Sequence, residues 1–294
     1  MSEHAERFTA LRPLLFTIAY EILGTATESD DVLQESYLRW AEVELAKVTD
    51  TKAYLAQLVT RQSLNALRAQ SRRREEYIGP WLPEPLLVET QDASADVVLA
   101  ESVSMAMMVV LETLTPDERA VFVLREVFGF SHDEIASAIG KSASAVRQMA
   151  HRAREHVQAR RKRFEPVDQT QTVALTTQFF AAAATGDMEG LVALLAPDVV
   201  WTSDSDGKVS AARRPITGAS NVARFILGLL RMAGDAGRVE PAMYNNTPAL
   251  VLYLGDHLEG VILLEYAGGK ISNFYAMRNP EKLTTVLVPR QISR

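Results

Sequence analysis

The stretch FGFSHDEIASAIGKSASAVRQMAHRAREHV, residues 128–157, decides how this chain folds, because it encodes two short helices joined by a tight turn. Ser131 and Glu134 have the spacing of a capping box at the start of the first helix, and Gly140 marks its end. Ser142 can cap a second helix. Its apolar positions repeat with helical spacing at Val146, Met149, Ala150, Ala153 and Val157. The pattern predicts a helix-turn-helix with the second helix placed for the major groove of DNA.

The opposite face of the second helix is polar and basic, and it carries Ser144, Arg147, Gln148, His151 and Arg152. Such side chains contact phosphates and base edges. An ordinary helical hairpin with a solvated basic face is the alternative interpretation. Charge favours the DNA-binding one: residues 141–163 hold eight Lys or Arg against one acid, in a chain of net charge -6. A basic patch in an acidic chain indicates a local site for nucleic acid.

Length and composition exclude several classes of protein. The 294 residues allow two or three domains, and the absence of cysteine excludes disulfides and thiolate metal sites. The five histidines lack metal-ligand spacing, no apolar run approaches membrane-spanning length, and the N-terminus has acids where a signal peptide has a basic start. We therefore expect a soluble cytoplasmic protein without a cofactor, a metal site or a membrane segment.

Charge is unevenly distributed along the chain. Residues 61–74 contain five arginines and no acid, whereas residues 75–118 contain ten acids and no Lys or Arg. Two basic blocks separated by an acidic one predict two nucleic-acid contacts joined by a segment that avoids DNA. Within that segment, GPWLPEPL (79–86) predicts a stiff, partly extended linker, because its three prolines cannot continue a helix.

Hydrophobic periodicity predicts helices before and after this linker. The first ends at Gly24. The second lies within 27–40, with Ser29 or Asp30 at its start and Leu38 among its packed residues. Two more cover 53–74 and 97–114. The C-terminal third changes pattern. Helices are predicted at 173–184, 188–195 and 221–232, and strands at 199–202, 249–254, 260–266 and 271–277. The strands are expected to form an antiparallel sheet in an α+β unit.

Several of these strings carry a family resemblance. DDVLQE (30–35), a helix with Arg68 and an arginine run at 72–74, and AVRQMAHRAR (145–154) together resemble an extracytoplasmic-function bacterial sigma factor. WLPEPL (81–86), NPEKL (279–283) and GDMEGLVALLAPDVVW (186–201) resemble the subgroup whose sigma core is fused to a SnoaL-like extension. Asn65 departs from the family, which more often has an aspartate there, and this affects the expected contacts with the promoter strand.

The resemblance implies a multidomain fold. It has two all-α sigma domains, a region-two helical bundle and a region-four helix-turn-helix, followed by an α+β SnoaL-like cone-shaped barrel. We expect region two at 1–78, an acidic Pro-containing linker at 79–100, region four at 101–164, a short linker at 165–171 and the SnoaL-like domain at 172–294.

The resemblance also assigns roles to individual residues. Docking on the β′ clamp helices of core RNA polymerase is expected from Asp31, Gln34, Glu35 and Arg39, and the β flap is a second expected polymerase contact. The promoter −10 element is expected to meet Arg61, Asn65, Arg68 and Arg72. The −35 element is expected to meet the five polar residues of the second helix. Regulatory contacts between domains are expected from Trp81, Leu82, Pro83, Glu84, Pro85, Asn279, Pro280, Lys282 and Leu283.

The expected function is therefore promoter recognition and transcription initiation with core polymerase. The C-terminal domain would modulate this activity in cis, without a separate anti-sigma factor and without catalytic residues. Two alternatives remain open. One is an enzyme of the polyketide cyclase type fused to a DNA-binding module, with candidate groups Asp204, Asp206, His257, Glu259 and Tyr275. The other is a helix-turn-helix regulator that acts independently of polymerase.

Overall fold

The computed structural model describes residues 2–89, 96–161 and 169–294, without the side chains of 71–73, 161, 169 and 170. The chain divides into two compact units. The first, here called the helical unit, comprises Met1–Glu76, Val88–Arg161 and Val288–Arg294; the second, the sheet unit, comprises Tyr77–Leu87 and Lys162–Leu287. Among the described helices, none has the length and hydropathy that crossing a bilayer requires.

The helical unit is built from α1 (Glu3–Leu23), α2 (Ala26–Ala41), α3 (Thr51–Arg74), α4 (Val97–Ser102), α5 (Met105–Leu111), α6 (Pro116–Phe122), α7 (His132–Ile139) and α8 (Ala143–Arg161). The apolar stripe of α1 packs against α2 and α3, and Leu33 and Trp40 are fully buried there. Gly24 ends α1 in the left-handed conformation (φ 76°), and its amide donates to Tyr20 O. This stop is the one that the sequence predicts.

The helix-turn-helix forms as its caps dictate. Ser131 and Glu134 make both hydrogen bonds of a capping box, and Gly140 ends α7 with φ 69°. The Ser142 side chain accepts from the amide of Ala145 at the start of α8. The predicted apolar stripe of α8 is buried throughout. Its outer face is left to solvent.

Three local predictions about the helices are wrong. The segment 97–114 forms two helices, because the side chain of Ser104 caps α5 and interrupts the first one. Helix α2 begins at Ala26 with Thr25 at the capping position, ahead of the predicted Ser29 or Asp30. Leu38, expected to pack inward, is 63% exposed.

The sheet unit combines α9 (Gln169–Thr185), α10 (Met188–Leu194), β1 (Leu195–Asp204), β2 (Ile216–Thr217), α11 (Ala219–Ala233), β3 (Gly237–Tyr244), β4 (Thr247–Leu254), β5 (His257–Ala267), β6 (Lys270–Met277) and α12 (Pro280–Leu283). The strand order is β2-β1-β6-β5-β4-β3. Phe179, Trp201, Phe274 and neighbouring apolar residues fill the space between the helices and one face of the sheet.

Three features of this sheet differ from the prediction. The prediction omits β2, which is only two residues long. It also omits the edge strand β3, because most β3 residues are exposed and no apolar alternation marks them. Its turn to β4 is Asn245-Asn246, with φ 51° and 54°, a pair suited to a two-residue hairpin. Strand β1 runs parallel to β6, so the sheet is mixed and not purely antiparallel. Turns at residues 255–256 and 268–269 connect β4 to β5 and β5 to β6.

Candidate nucleic-acid interface and regulatory contact

The outer face of α8 presents the predicted −35 residues together. All five are exposed: Ser144, Arg147, Gln148, His151 and Arg152. Their alternation with the buried stripe fixes this face, because residues three and four apart share one side of a helix. Helix α8 therefore presents all five side chains to solvent on one face.

Three of these five side chains already contact other side chains of the helical unit. Arg152 Nε donates to Glu118 Oε1 at 3.2 Å, and His151 Nε2 lies 3.5 Å from Glu155 Oε1. Ser144 Oγ lies 3.0 Å from Ser142 Oγ. Within the described part of the chain, Arg147 and Gln148 make no side-chain hydrogen bond. They are the side chains most available to a base edge.

The predicted −10 residues also share a face. Arg61, Asn65 and Arg68 are exposed on α3, at spacings of four and three residues. The side chain of Arg72 lies outside the described residues. The face lies in the C-terminal half of α3.

Two of these arginines are bound by α6 and α7. Arg61 Nε donates to Ala138 O at 3.0 Å, and its Nη2 donates to Ser137 O at 2.7 Å. Both carbonyls belong to the last turn of α7, where backbone acceptors lack partners within the helix. Arg68 Nη2 donates to Asp117 Oδ1 at 2.8 Å. In this conformation Arg61 and Arg68 of α3 are therefore hydrogen-bonded to α7 and α6.

A buried polar network joins α3 and α6 to α1 and α4. Arg119 is 1% exposed, donates Nε to Glu21 O at 2.7 Å and pairs with Glu112, which also pairs with Arg74. Ser102 Oγ donates to Glu21 Oε1 at 2.7 Å. Burial raises the pKa of Glu21 to about 8, although the Ser102 hydrogen bond and the charge of Arg119 oppose the shift. Glu21 is therefore mostly protonated at neutral pH in this conformation.

The predicted polymerase-docking residues form one exposed strip along α2. Asp31, Gln34, Glu35 and Arg39 all face solvent, and Arg39 Nη2 donates to Glu35 Oε1 at 2.7 Å. The exposed Leu38 lies on the same side, seven residues after Asp31. The expectation that Leu38 packs inward rested on its apolar character, whereas its spacing of three and four residues from Glu35 and Gln34 places it on the polar face of α2.

The final seven residues, 288–294, pack in the helical unit beside this strip. Arg290 Nη2 lies 2.7 Å from Asp30 Oδ2, and Arg290 O accepts from the amide of Glu89 at 3.1 Å. The amide of Ser293 donates to Thr17 Oγ1 at 3.1 Å. The sequence offers no signal for this contact, since the tail has no periodicity.

The two strings WLPEPL and NPEKL meet within the sheet unit. Lys282 Nζ donates to Leu82 O at 2.6 Å and lies 3.8 Å from the centre of the Trp81 ring. Asn279 Nδ2 donates to the hydroxyl of Tyr77 at 2.8 Å. An ammonium over an indole face is a cation–π contact and is strengthened by burial. The two strings are thus held together by a backbone acceptor, an aromatic ring and a charged side chain.

Asp204 lies at the centre of this contact, although it is not among the residues that were expected to form it. It is 0% exposed, and its Oδ2 accepts from Lys282 Nζ at 2.8 Å and from the Leu82 amide at 2.7 Å. Its other oxygen accepts from the Tyr77 hydroxyl, whose pKa is raised by burial and by this carboxylate. We call Tyr77, Leu82, Asp204, Asn279 and Lys282 the Asp204 cluster. The sequence indicated Asp204 only as one of five candidate catalytic groups.

The remaining predicted regulatory residues extend this contact. The Leu86 amide donates to Asn245 Oδ1 at 2.8 Å and gives segment 77–87 a second anchor. Along the segment Pro83, Glu84 and Pro85 are buried, as is Leu283 in α12. Pro280 is exposed at the first position of α12, where its missing N–H costs nothing.

The groups considered for catalysis are dispersed. Asp204 belongs to the Asp204 cluster. Asp206 pairs with Lys208 at 2.8 Å, and His257 lies 3.1 Å from Glu259. Tyr275 donates to the buried Glu265 at 2.5 Å. Burial raises the pKa of Glu265 to about 7. The sheet unit contains a cavity between its helices and its sheet, and of the five candidates only Glu259 lines it. Among the described residues, no group of His, Asp and Glu is arranged to hold a metal.

Comparison with known proteins agrees with this organisation. Residues 7–73 match the model of Sigma-70 region 2, and residues 104–157 match the model of Sigma-70, region 4. The ECF RNA polymerase sigma factor SigJ of Mycobacterium tuberculosis is 36% identical over 294 residues, or 94% of this chain and 92% of that protein. The probable ECF sigma factor SigI of the same organism is 30% identical over 288 residues, or 96% and 97%.

The crystal structure of SigJ superposes with a TM-score of 0.76 at 34% identity and covers 97% of this chain and 99% of that one. The match includes the C-terminal α+β domain as well as both sigma domains. The predicted fold class is therefore confirmed. By its two sigma regions and its similarity to SigJ along nearly the whole chain, this protein belongs to the extracytoplasmic-function RNA polymerase sigma factors.

Proposed function

We propose that this sigma factor acts in the cytoplasm, binds core RNA polymerase through α2, melts the −10 element with α3 and reads the −35 element with α8. The C-terminal domain regulates these steps in cis, without a separate anti-sigma factor and without a catalytic reaction of its own. The single observation that carries the proposal is the coexistence, within one sigma-family chain, of two exposed basic faces on different helices.

The α8 face suits duplex readout. Arginine forms bidentate hydrogen bonds with guanine, and glutamine does so with adenine, so Arg147 and Gln148 are our candidates for base contacts. Ser144, His151 and Arg152 are assigned to phosphates, which position the helix. Arg152 must exchange its ion pair with Glu118 for a phosphate, which is a small cost at an exposed site.

The α3 face suits strand opening, which requires unstacked bases held against a basic surface. Its arginines are engaged with α6 and α7 in this conformation. We propose that it is a closed form, in which the −10 residues Arg61 and Arg68 are masked until polymerase separates region two from region four. Asn65 is exposed and uncharged, and Arg72 is included on the resemblance alone.

The α2 strip suits a protein partner. Charged side chains surround the exposed Leu38, and such an arrangement of one apolar group within a polar rim is typical of interface hot spots. We propose that Asp31, Gln34, Glu35 and Arg39 orient the β′ clamp helices around Leu38. The contact of region four with the β flap is proposed on the resemblance alone.

Regulation in cis is supported by the position of segment 77–87. This segment connects α3 of region two to α4, which precedes region four, and it is anchored in the sheet unit by the Asp204 cluster and by Asn245. Two turns of DNA helix span roughly 70 Å, so region two and region four need a free connection to occupy one promoter. We propose that release of segment 77–87 supplies this freedom.

Run-off transcription with core polymerase tests the proposal. Full-length protein should start RNA synthesis at promoters of its own genome, and a chain ending after residue 166 should bind polymerase with altered promoter output. Identical output from both chains would remove the regulatory part. Promoter binding without any need for polymerase would favour the independent regulator, and turnover of a polyketide-like substrate would favour the enzyme.

A further inference from the structure

Segment 288–294 is bound in the helical unit in the manner of a short strand. Ile292 is buried and Arg290 half-buried, whereas Gln291 between them is exposed, which is the two-residue alternation of an extended chain. Arg290 forms a parallel β-bridge with Val88, and its carbonyl accepts from the Glu89 amide at 3.1 Å. The contact therefore has the geometry of a peptide that adds a strand to residues 88–89.

Arg290 supplies the charged half of the contact. Its Nη2 lies 2.7 Å from Asp30 Oδ2, and its guanidinium carbon lies 5.6 Å from the centre of the Phe16 ring. Asp30 Oδ1 also accepts from Arg12 Nη2 at 3.0 Å, so a second arginine fixes this carboxylate. A planar guanidinium can pair with an acid and approach a ring at once, and a lysine ammonium does this less well. The position therefore selects arginine.

Ile292 supplies the apolar half. Its side chain is 2% exposed, and the amide of the next residue, Ser293, donates to Thr17 Oγ1 at 3.1 Å. This hydrogen bond to α1 fixes the backbone beside the buried side chain. An extended Arg-x-Ile segment thus meets an acid, a ring, an apolar site and backbone partners in the same register.

The segment can leave this surface without unfolding the unit. Leu287, Val288 and Pro289, which lead into it, are all exposed, and of the apolar side chains in 288–294 only Ile292 is buried. Its ion pairs remain partly open to water, where such pairs are weak. Contacts of this kind open far more readily than the core of a domain.

The same segment holds both flanks of residues 90–95, which lie outside the described residues. Gln291 Nε2 donates to Glu89 Oε2 at 3.0 Å. Arg294 Nε pairs with Asp96, directly before α4. The chain that leads to region four is therefore tied to the surface of α1 and α2. Release of the Asp204 cluster gives this linker its full freedom only when segment 288–294 also leaves.

We propose that the surface formed by α1, α2 and residues 88–89 is a peptide-binding site for an extended Arg-x-Ile segment, that segment 288–294 occupies it reversibly, and that its departure frees the linker at 88–96. The peptide site is argued from these contacts alone. Its effect on the linker rests on the proposed function, in which region two and region four need a free connection.

Peptide binding in trans tests the site. The full-length Ile292→Ser chain keeps the whole surface but weakens its occupant, so it should bind fluorescein-labelled VPRQISR, the sequence of 288–294, in an anisotropy titration. Wild type should bind this peptide at least tenfold more weakly, because its own segment competes at an effective concentration on the order of millimolar. The peptide VPAQSSR, which lacks the arginine and the isoleucine, should bind neither chain.

Variants of the surface locate the bound peptide. In the Ile292→Ser chain, Asp30→Asn should weaken binding about fivefold, whereas Glu42→Gln, an exposed acid at the end of the same helix, should leave it unchanged. Arg290→Ala opens the surface by a different change and should bind the peptide as Ile292→Ser does. The site is overturned if neither opened chain binds VPRQISR, if VPAQSSR binds equally well, or if Asp30→Asn has no effect.

Hydrogen exchange tests control of the linker separately. In Ile292→Ser the Glu89 amide loses its acceptor on the bound segment and should exchange at least tenfold faster. The Leu82 and Leu86 amides, which Asp204 and Asn245 hold, should be unchanged. Equal exchange at Glu89 in both chains would overturn control of the linker. This readout does not involve transcription, so its failure is distinct from failure of the proposed function in the run-off assay.

Discussion

Replacement of Asp204 by Asn should loosen segment 77–87, because this carboxylate accepts from the Leu82 amide, from Lys282 and from the Tyr77 hydroxyl. Asn preserves the shape but removes the charge that compensates Lys282, which is itself 8% exposed. Removing one partner of a buried ion pair costs about 3–5 kcal/mol. Lys282 keeps its hydrogen bond to Leu82 O and its contact with the Trp81 ring, so we expect the lower end, about 3 kcal/mol.

Hydrogen exchange at peptide resolution measures this effect. A loss of about 3 kcal/mol corresponds to roughly 100-fold faster exchange in the peptide that contains the Leu82 and Leu86 amides. Asp198→Asn, at an exposed position of the same strand, is the matched control and should leave exchange unchanged.

A double variant separates the buried charge from simple loss of packing. Adding Lys282→Met to Asp204→Asn removes the buried ammonium that has lost the Asp204 carboxylate and should restore at least half of the lost protection, because an apolar side chain tolerates burial better than a charge does. Unchanged exchange in Asp204→Asn, or a double variant as labile as the single one, would refute the reasoning. If segment 77–87 regulates the sigma core, Asp204→Asn should also change run-off output.

Three further predictions concern the helical unit. The pKa of Glu21 is raised in the folded state, so its protonation stabilises this unit below about pH 5, and that stability is lost as pH rises toward 8. Glu21→Gln should therefore raise the urea midpoint relative to wild type at pH 8 but little at pH 5; an equal difference at both would contradict the assignment. Leu38→Lys should weaken binding to core polymerase at least tenfold in a pull-down titration, and Glu44→Ala should not. Arg147→Ala should cost about 1–3 kcal/mol in −35 binding, measured by anisotropy, and lower discrimination at one base pair; a uniform loss on all sequences would indicate a phosphate contact instead.

Short-range signals in the sequence predicted much of the candidate site. The face of α8 follows from a period of 3.6 residues and two serine caps, which act within one turn of chain. The prediction failed for Leu38, because it followed the apolar character of this residue, whereas its helical spacing places it with Asp31, Gln34 and Glu35 on the exposed face. It also failed for β3, whose edge position leaves no apolar alternation to detect.

The sequence by itself determined the family, the two sigma regions, the helix-turn-helix and the α+β character of the last third. All of these depend on local caps, periodicity and recognisable strings. Only the tertiary structure decided that Asp204 holds segment 77–87, that α7 carbonyls bind Arg61, and that Arg290 reaches Asp30. These contacts join residues 76 to 260 positions apart, and their energy comes from burial of charges and donors, which depends on the surrounding fold and leaves no mark in the local sequence.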